Sequence, residues 1–242
     1  MMDISIIIPA YNEETRIVPT LNTLFSFLEH HQSINEYEVI VVDDGSKDKT
    51  LQVIPVHQHL KVIQHQVNQG KGGAVRTGVL NAKYENILFM DSDLATPLEE
   101  LDKLCPRLQQ GYEVVIASRN LPKSNILTKQ PKYRQLAGKT FPLLVRLLSG
   151  LPYRDTQCGF KLMKAGPGKE IFKRLTILRF AFDVEMLFIA KKLGYKIAEV
   201  PVTWIDQSGS TVHFFRDSWR MLKDLFKIRI NDWKGKYAER KI

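Results

Sequence analysis

Asn86-Ile87-Leu88-Phe89-Met90-Asp91-Ser92-Asp93 is an apolar run that closes on two carboxylates one residue apart. A strand ending this way delivers both acids to the carboxyl edge of a sheet, where open α/β sheets bind ligands. Two oxygen-donor side chains there suit a hard cation such as Mg²⁺, which takes carboxylates together with substrate phosphates and keeps several waters. The plainer alternative is one Asp that caps the next turn and a second that is merely solvated. The surrounding chain decides between them.

Outward from that run, strands and helices alternate. Residues 4–8, 38–42, 61–64, 86–90 and 113–117 read as strands, and 47–54, 71–82 and 98–110 as helices. Asn12 stands where it can N-cap a helix with apolar positions Ile17, Leu21, Leu24 and Leu28. The near-continuous apolar strand at 38–42 fits a sheet covered on both faces. Alternating elements imply βαβ units and a mostly parallel sheet. Beyond residue 120 the pattern loosens, with helices expected near 133–148 and 183–193, a strand around 197–204, and a last helix from His213.

Length fits one domain spanning 1–242, close to the upper size of a single core. Cys105 and Cys158 lie far apart, with no Cys-x-x-Cys and no His cluster at zinc spacing. That argues against a disulfide framework or structural zinc and matches a reducing cytosol. The chain enters a strand almost at once, without a basic-then-apolar leader. No stretch approaches the ~18 uninterrupted apolar residues of a membrane span. The richest, 141–151, is short and contains Pro142 and Arg146.

Charge divides the chain in two. Residues 1–118 carry nine Lys/Arg against sixteen Asp/Glu, and residues 119–242 carry twenty-six against ten, so −7 is followed by +16. The basic half is suited to an anionic partner: nucleic acid, a membrane surface or a phosphorylated substrate. Residues 119–139 hold six basic residues and no acid, and Arg119, Lys132 and Arg134 within them are candidate phosphate contacts. Pro122 and Pro131 also fit a solvated loop. Near the end, Phe215, Trp219, Leu222 and Phe226 form one stripe at helical spacing, with Arg216, Arg220, Lys223 and Lys227 one residue on. Such a helix either lies in a lipid interface or packs its stripe on the domain.

Three strand ends line up on one edge. Residues 4–8 run into Pro9-Ala10-Tyr11-Asn12-Glu13, 38–42 into Asp43-Asp44-Gly45-Ser46, and 86–90 into Asp91-Ser92-Asp93. Carboxylates there can accept from a ribose hydroxyl or a base N–H, Tyr11 offers an apolar face to a base, and Asp91 with Asp93 can hold a metal on a diphosphate. The segment Gly70-Lys71-Gly72-Gly73-Ala74-Val75-Arg76-Thr77-Gly78 opens a helix that can bring Lys71 to the same ligand. It matches neither the P-loop spacing nor the full dinucleotide fingerprint, and a tight turn with close helix packing explains its glycines equally well.

These motifs, with Ala117-Ser118-Arg119, Arg154-Asp155-Thr156-Gln157-Cys158-Gly159-Phe160-Lys161-Leu162 and Ala181-Phe182-Asp183-Val184-Glu185, carry a resemblance. The chain resembles family 2 (GT-A) glycosyltransferases, and within them the dolichyl-phosphate β-glucosyltransferases, with dolichyl-phosphate mannosyltransferases as cousins. The resemblance implies a GT-A (Rossmann-like) α/β fold, a mostly parallel sheet flanked by helices, with a C-terminal amphipathic helical elaboration. It implies a nucleotide-sugar-binding half at 1–118 and an acceptor- and membrane-facing half at 119–242.

The implied reaction moves glucose from UDP-glucose to a polyprenyl (dolichyl-type) phosphate with inversion, GDP-mannose being the alternative donor. Pro9, Ala10, Tyr11, Glu13, one or both of Asp43 and Asp44, Lys71, Asp91 and Ser92 would hold the donor, and Asp91 with Asp93 a Mg²⁺ or Mn²⁺ ion. Arg119 would face the phosphate of donor or acceptor, Lys132 and Arg134 that of the acceptor, and Asp155 would sit beside the reacting anomeric carbon. Ala95 stands where the mannosyl cousins often carry a metal-binding Gln, and Thr211 replaces a common Lys. The eukaryotic glucosyl enzymes begin with a membrane anchor not seen here, so the expectation is peripheral attachment to the cytoplasmic face of a membrane. Readings from other classes are a sugar-nucleotide pyrophosphorylase, whose basic Gly-rich N-terminal motif is missing, and a non-catalytic nucleic-acid- or membrane-binding protein. No nucleic-acid motif with interleaved aromatics stands in the basic half.

Overall fold

Alternating isoleucines place the first strand between two cores. In the computed structural model, which describes residues 1–127, 143–206 and 214–238 (side chains from Trp219 onward in the last stretch), β1 (Met2–Ala10) sends Ile4, Ile6 and Ile8 into one cluster and Ile7 into the other. That is the two-residue period of a strand buried on both faces. The neighbouring strands are β2 (Ile34–Asp43), β3 (Leu60–Gln64), β4 (Asn86–Met90), β5 (Val114–Ser118), β7 (Phe160–Lys164) and β8 (Ile197–Pro201). Their order is β3-β2-β1-β4-β7-β5-β8, and every neighbour is parallel except β7, which runs antiparallel to β4 and β5. A separate parallel pair joins β6 (Asn125–Ile126) to β9 (Thr203–Trp204).

Helices cover both faces. On one side lie α1 (Ile17–His30), burying Ile17, Leu21, Leu24 and Leu28, and α4 (Leu101–Gln109), which follows a 3₁₀ turn at Leu98–Glu100. Each fully buried Leu or Ile contributes roughly 1.5–3 kcal/mol. On the other side lie α3 (Lys71–Asn81), α6 (Ala165–Arg174), α7 (Phe182–Lys192) and α8 (Phe214–Trp233), with α5 (helical residues 143–149) joining through Val145. The glycines of α3 are packing glycines: a Cβ on Gly78 would meet Ile7 Cγ2 at 2.2 Å, and one on Gly72 would meet Phe182 Cβ at 2.5 Å. Both cysteines are free, and burial pushes each thiol up to about 11, which leaves neither a ready nucleophile.

Several expectations need correction. Asn12 does not cap α1. It adopts φ 57 and its side-chain oxygen accepts the Lys47 N–H at 2.9 Å, while the Glu13 carbonyl takes the first helical N–H groups, of Arg16 and Ile17. The helix expected over 47–54 shrinks to α2 (Thr50–Val53), because Asp48 accepts from the N–H groups of Thr50 and Glu14 and holds its surroundings as a turn. The strand expected over 197–204 divides at Val202, and its second piece leaves the main sheet to pair with β6. Strand β7 and helix α6 had no counterpart in the sequence reading. The helix expected near 133–148 lies within the described residues only from 143.

Candidate active site

The antiparallel strand completes the site. Because Met90 pairs with Phe160, the start of β7 lies beside the carboxyl end of β4, on the edge where β1 and β2 also end, and residues 155–159 reach that edge. Asp91 donates its N–H to the Gly159 carbonyl at 3.1 Å, and a Cβ on Gly159 would sit 2.0 Å from Asp91 Oδ2. Only glycine lets the carboxylate lie against this backbone. Lys71, at the start of α3, places Nζ 2.6 Å from Asp91 Oδ1. Burial opposes its charge, but Asp91, Asp183 and Asp93 outweigh that and hold its pKa above the ordinary value.

Asp93 accepts the Ala95 N–H at 3.0 Å. Burial, reinforced by the Asp91 charge, pushes its carboxyl above the usual range. Leu94, between Asp93 and Ala95, takes φ 53, a left-handed conformation that is costly for a branched side chain and clusters at functional sites. Ser92 is buried, its carbonyl accepting Thr20 Oγ1 at 2.6 Å. Asp91, Asp93, Ala95, Thr96, Gly159 and Trp204 line an open cleft here.

Beside this cleft, the two acids ending β2 divide their work. Asp44 is committed to structure: Oδ1 meets His65 Nδ1 at 2.7 Å and the Gln69 N–H at 2.9 Å, and Oδ2 accepts the Gly70 N–H at 2.7 Å. It thereby fixes the loop that leads into Lys71. Asp43 accepts only long bonds, 3.3 and 3.4 Å, from the Ser46 N–H. Tyr11 is 38% exposed just beyond β1. Glu13 grips Arg16 at 2.6 and 3.0 Å, and burial raises its pKa.

On the far side, Arg119 and Asp155 form a forked pair at 2.7 and 3.0 Å, and the same carboxylate accepts the Arg119 and Gln157 N–H groups. Asp155 is 2% exposed, yet burial is outweighed by Arg119, which holds its carboxyl below the ordinary value. Glu199 of β8 accepts the Arg154 and Asp155 N–H groups at 2.9 and 2.8 Å. Asp155 therefore takes Arg119 as its basic partner, and its sequence neighbour Arg154 gives its N–H to Glu199. Lys132 and Arg134 lie outside the described residues.

Residues 5–171 match glycosyl transferase family 2. The chain belongs to that family. It is 37% identical over 242 residues to dolichyl-phosphate beta-glucosyltransferase of Drosophila melanogaster, covering 94% of this chain and 74% of that one. The human and Saccharomyces cerevisiae proteins of the same name are 36% and 32% identical, with 94% and 98% of this chain and 75% and 77% of theirs covered. The fold is shared with mannosyl-3-phosphoglycerate synthase from Rubrobacter xylanophilus, at TM-score 0.69 and 19% identity over 100% of this chain and 77% of that one. It is shared also with glucosyl-3-phosphoglycerate synthase from Mycobacterium tuberculosis, solved with Mn²⁺, UDP-glucose and phosphoglyceric acid, at TM-score 0.67 and 20% identity over 94% and 79%. The expected GT-A α/β fold and glycosyltransferase class hold, and the non-enzymatic and pyrophosphorylase readings fall away.

In this glycosyltransferase, a buried charge pair underlies the acids. Lys161, wholly buried on β7, ion-pairs with Asp183 at the start of α7 and donates to the Cys158 carbonyl at 2.6 Å. The other acid of that motif, Glu185, accepts from the Thr176 and Ile177 N–H groups, from Thr176 Oγ1 and from Tyr237 Oη. With four donors satisfied, it ties the segment after α8 to the core. Sequence reading did not single out Lys161, Glu199 or Trp204 as site residues. For Trp204 a signal existed, an aromatic residue at a strand end on the ligand-binding edge.

Proposed function

We propose that this chain transfers glucose from UDP-glucose to a polyprenyl (dolichyl-type) phosphate, with inversion at C1. The observation that carries the reading is the Asp91/Asp93 pair set beside the Lys71 ammonium at the carboxyl edge, in a chain whose relatives bear that activity in their names. Tyr11, with Pro9 and Ala10, would receive the uracil, and Asp43, its hydrogen bonds long, would accept from the nucleoside. Asp44 would act through the loop it holds rather than by contact, and Glu13 and Ser92 would shape the pocket wall.

Among the described residues no three His, Cys, Asp or Glu side chains gather to hold an ion by themselves. Two carboxylates facing an open cleft nevertheless fit a hard cation that shares its shell with diphosphate oxygens and water. Asp91 and Asp93 would hold Mg²⁺ or Mn²⁺, which when bound supplies Lewis-acid stabilisation of the departing diphosphate. Lys71 adds a fixed positive charge at the same place. A lipid phosphate monoester, with a second pKa of about 6, is already largely ionised near neutrality, so the nucleophile needs no strong base. Arg119 would orient that phosphate. Asp155, with both oxygens engaged by Arg119, would act as the group that aims it.

The experiment is a donor screen with short polyprenyl phosphate and Mg²⁺. UDP-glucose is expected to give lipid-linked glucose, and GDP-mannose little or no product. Preference for GDP-mannose would shift the reading to the mannosyl cousins.

Among the described residues no helix is long and apolar enough to cross a membrane. Helix α8 packs through Met221, Leu225 and Ile228, with Leu222 partly buried, so the expected stripe is turned. Outward it shows Trp219, Phe226, Ile230 and Trp233, the last 81% exposed, among Arg220, Lys223 and Lys227. The side chains of Phe215 and Arg216 lie outside the described residues. This face would rest on an anionic membrane surface on the cytoplasmic side. Each Lys or Arg near such a surface adds about 1 kcal/mol, so Arg220→Glu, Lys223→Glu and Lys227→Glu together should weaken binding to anionic liposomes by roughly 10²-fold or more. Transfer to a short soluble acceptor should persist, and liposome binding that survives the reversal would exclude this face.

A further inference from the structure

Trp204 is the aromatic wall of the cleft that holds Asp91 and Asp93, and none of the roles above uses it. Three contacts fix its place. Its strand, β9, pairs with β6, and the Trp204 carbonyl accepts the Leu127 N–H at 3.0 Å. The next residue, Ile205, donates its N–H to the Ala95 carbonyl at 2.8 Å, tying this wall to the loop that carries Asp93. The Arg119 guanidinium, itself clamped by Asp155, lies over the indole with its carbon 5.5 Å from the ring centroid. The indole is therefore held between the acid pair and the cation proposed to orient the acceptor phosphate.

The chemistry of such a compartment is specific. Carboxylates accept hydroxyl hydrogens, and an aromatic face covers the apolar C–H face of a pyranose ring; both are part of this one cleft. A nucleobase needs no second aromatic wall, since Tyr11 stands at the other end of the edge. We propose that Trp204 contacts the hexose of the donor and is a specificity-determining residue for the sugar rather than for the nucleotide. This rests on the donor-site reading given above and adds the part of the ligand that Trp204 recognises.

The test separates sugar from nucleotide. In the full chain with Mn²⁺, affinities for UDP and UDP-glucose are measured by titration calorimetry for the parent, Trp204→Phe and Trp204→Leu. Trp204→Leu is expected to weaken UDP-glucose by about 10-fold while leaving UDP little changed, and Trp204→Phe is expected to recover most of the loss. A second measurement does not depend on how those variants fold. With Trp219→Phe and Trp233→Phe, Trp204 is the one remaining tryptophan of three, and its emission should change with UDP-glucose beyond the change with UDP. Equal loss of both ligands, identical emission with both, or an effect confined to KM for the lipid acceptor would overturn the inference. A parent that binds neither UDP nor UDP-glucose would overturn the donor-site reading itself, and the inference with it.

Discussion

Replacing Asp93 with Ala is expected to lower glucosyl transfer by about 10²–10³-fold or more, the scale seen when one preorganised charge-stabilising group is lost. Asp93 sits beside Asp91 at the end of β4, and its hydrogen bond to the Ala95 N–H serves only its own turn. The variant should therefore fold, with a melting temperature close to the parent's. Chelation of the parent should reproduce the loss, and added Mg²⁺ or Mn²⁺ should restore the parent but not the variant. Transfer undiminished under chelation would remove the metal from the mechanism and leave Lys71 as the charge that faces the diphosphate.

Asp155→Asn should act differently. Nearly isosteric, it keeps the side chain but removes the charge that pairs with Arg119 through two bonds. Turnover should fall about 10²-fold through misaimed positioning, with UDP affinity little changed because the proposed uracil contact, Tyr11, follows β1 rather than β5 or β7. Stability should fall too, by about 2–4 kcal/mol, since breaking one side of a buried pair strands the other charge; Arg119 retains some solvent, which limits the cost. The sign with pH follows from the depressed Asp155 pKa. Its contribution is full above the unfolded value of about 3.9 and is lost as pH falls through the lower folded value. The stability gap between parent and variant should hold at neutral pH and narrow in acid. Loss of UDP affinity in step with turnover would instead place Asp155 in the donor site or in the fold.

What was legible in the sequence was local. Continuous apolar runs marked β1, β2, β4 and β5, and the acids that close β2 and β4 marked the ligand edge. Strand β7 was hidden by Lys161, a charge in mid-strand that reads as surface. It is wholly buried because Asp183, 22 residues on, and the Cys158 carbonyl satisfy it. Helix α6 was hidden by Gly166, Pro167 and Gly168 in its first turns, where proline costs little but breaks a periodic pattern. The Arg119–Asp155 fork spans 36 residues, and no spacing rule links such partners. The division of labour between Asp43 and Asp44 is set by the His65–Gly70 loop, and adjacent identical residues carry no local sign of which one that loop will engage.

The product's anomeric configuration tests the central claim most directly. The donor's glucose is α-linked, and the carboxylate expected beside C1, Asp155, is held by Arg119 rather than free to form a covalent glycosyl intermediate. A single in-line displacement by the lipid phosphate must then invert C1. Proton NMR of the lipid-linked glucose formed from UDP-glucose and a short polyprenyl phosphate is predicted to show the β-linked product alone. An α-linked product would mean retention at C1, by double displacement or by attack on the leaving-group face, and would contradict the account.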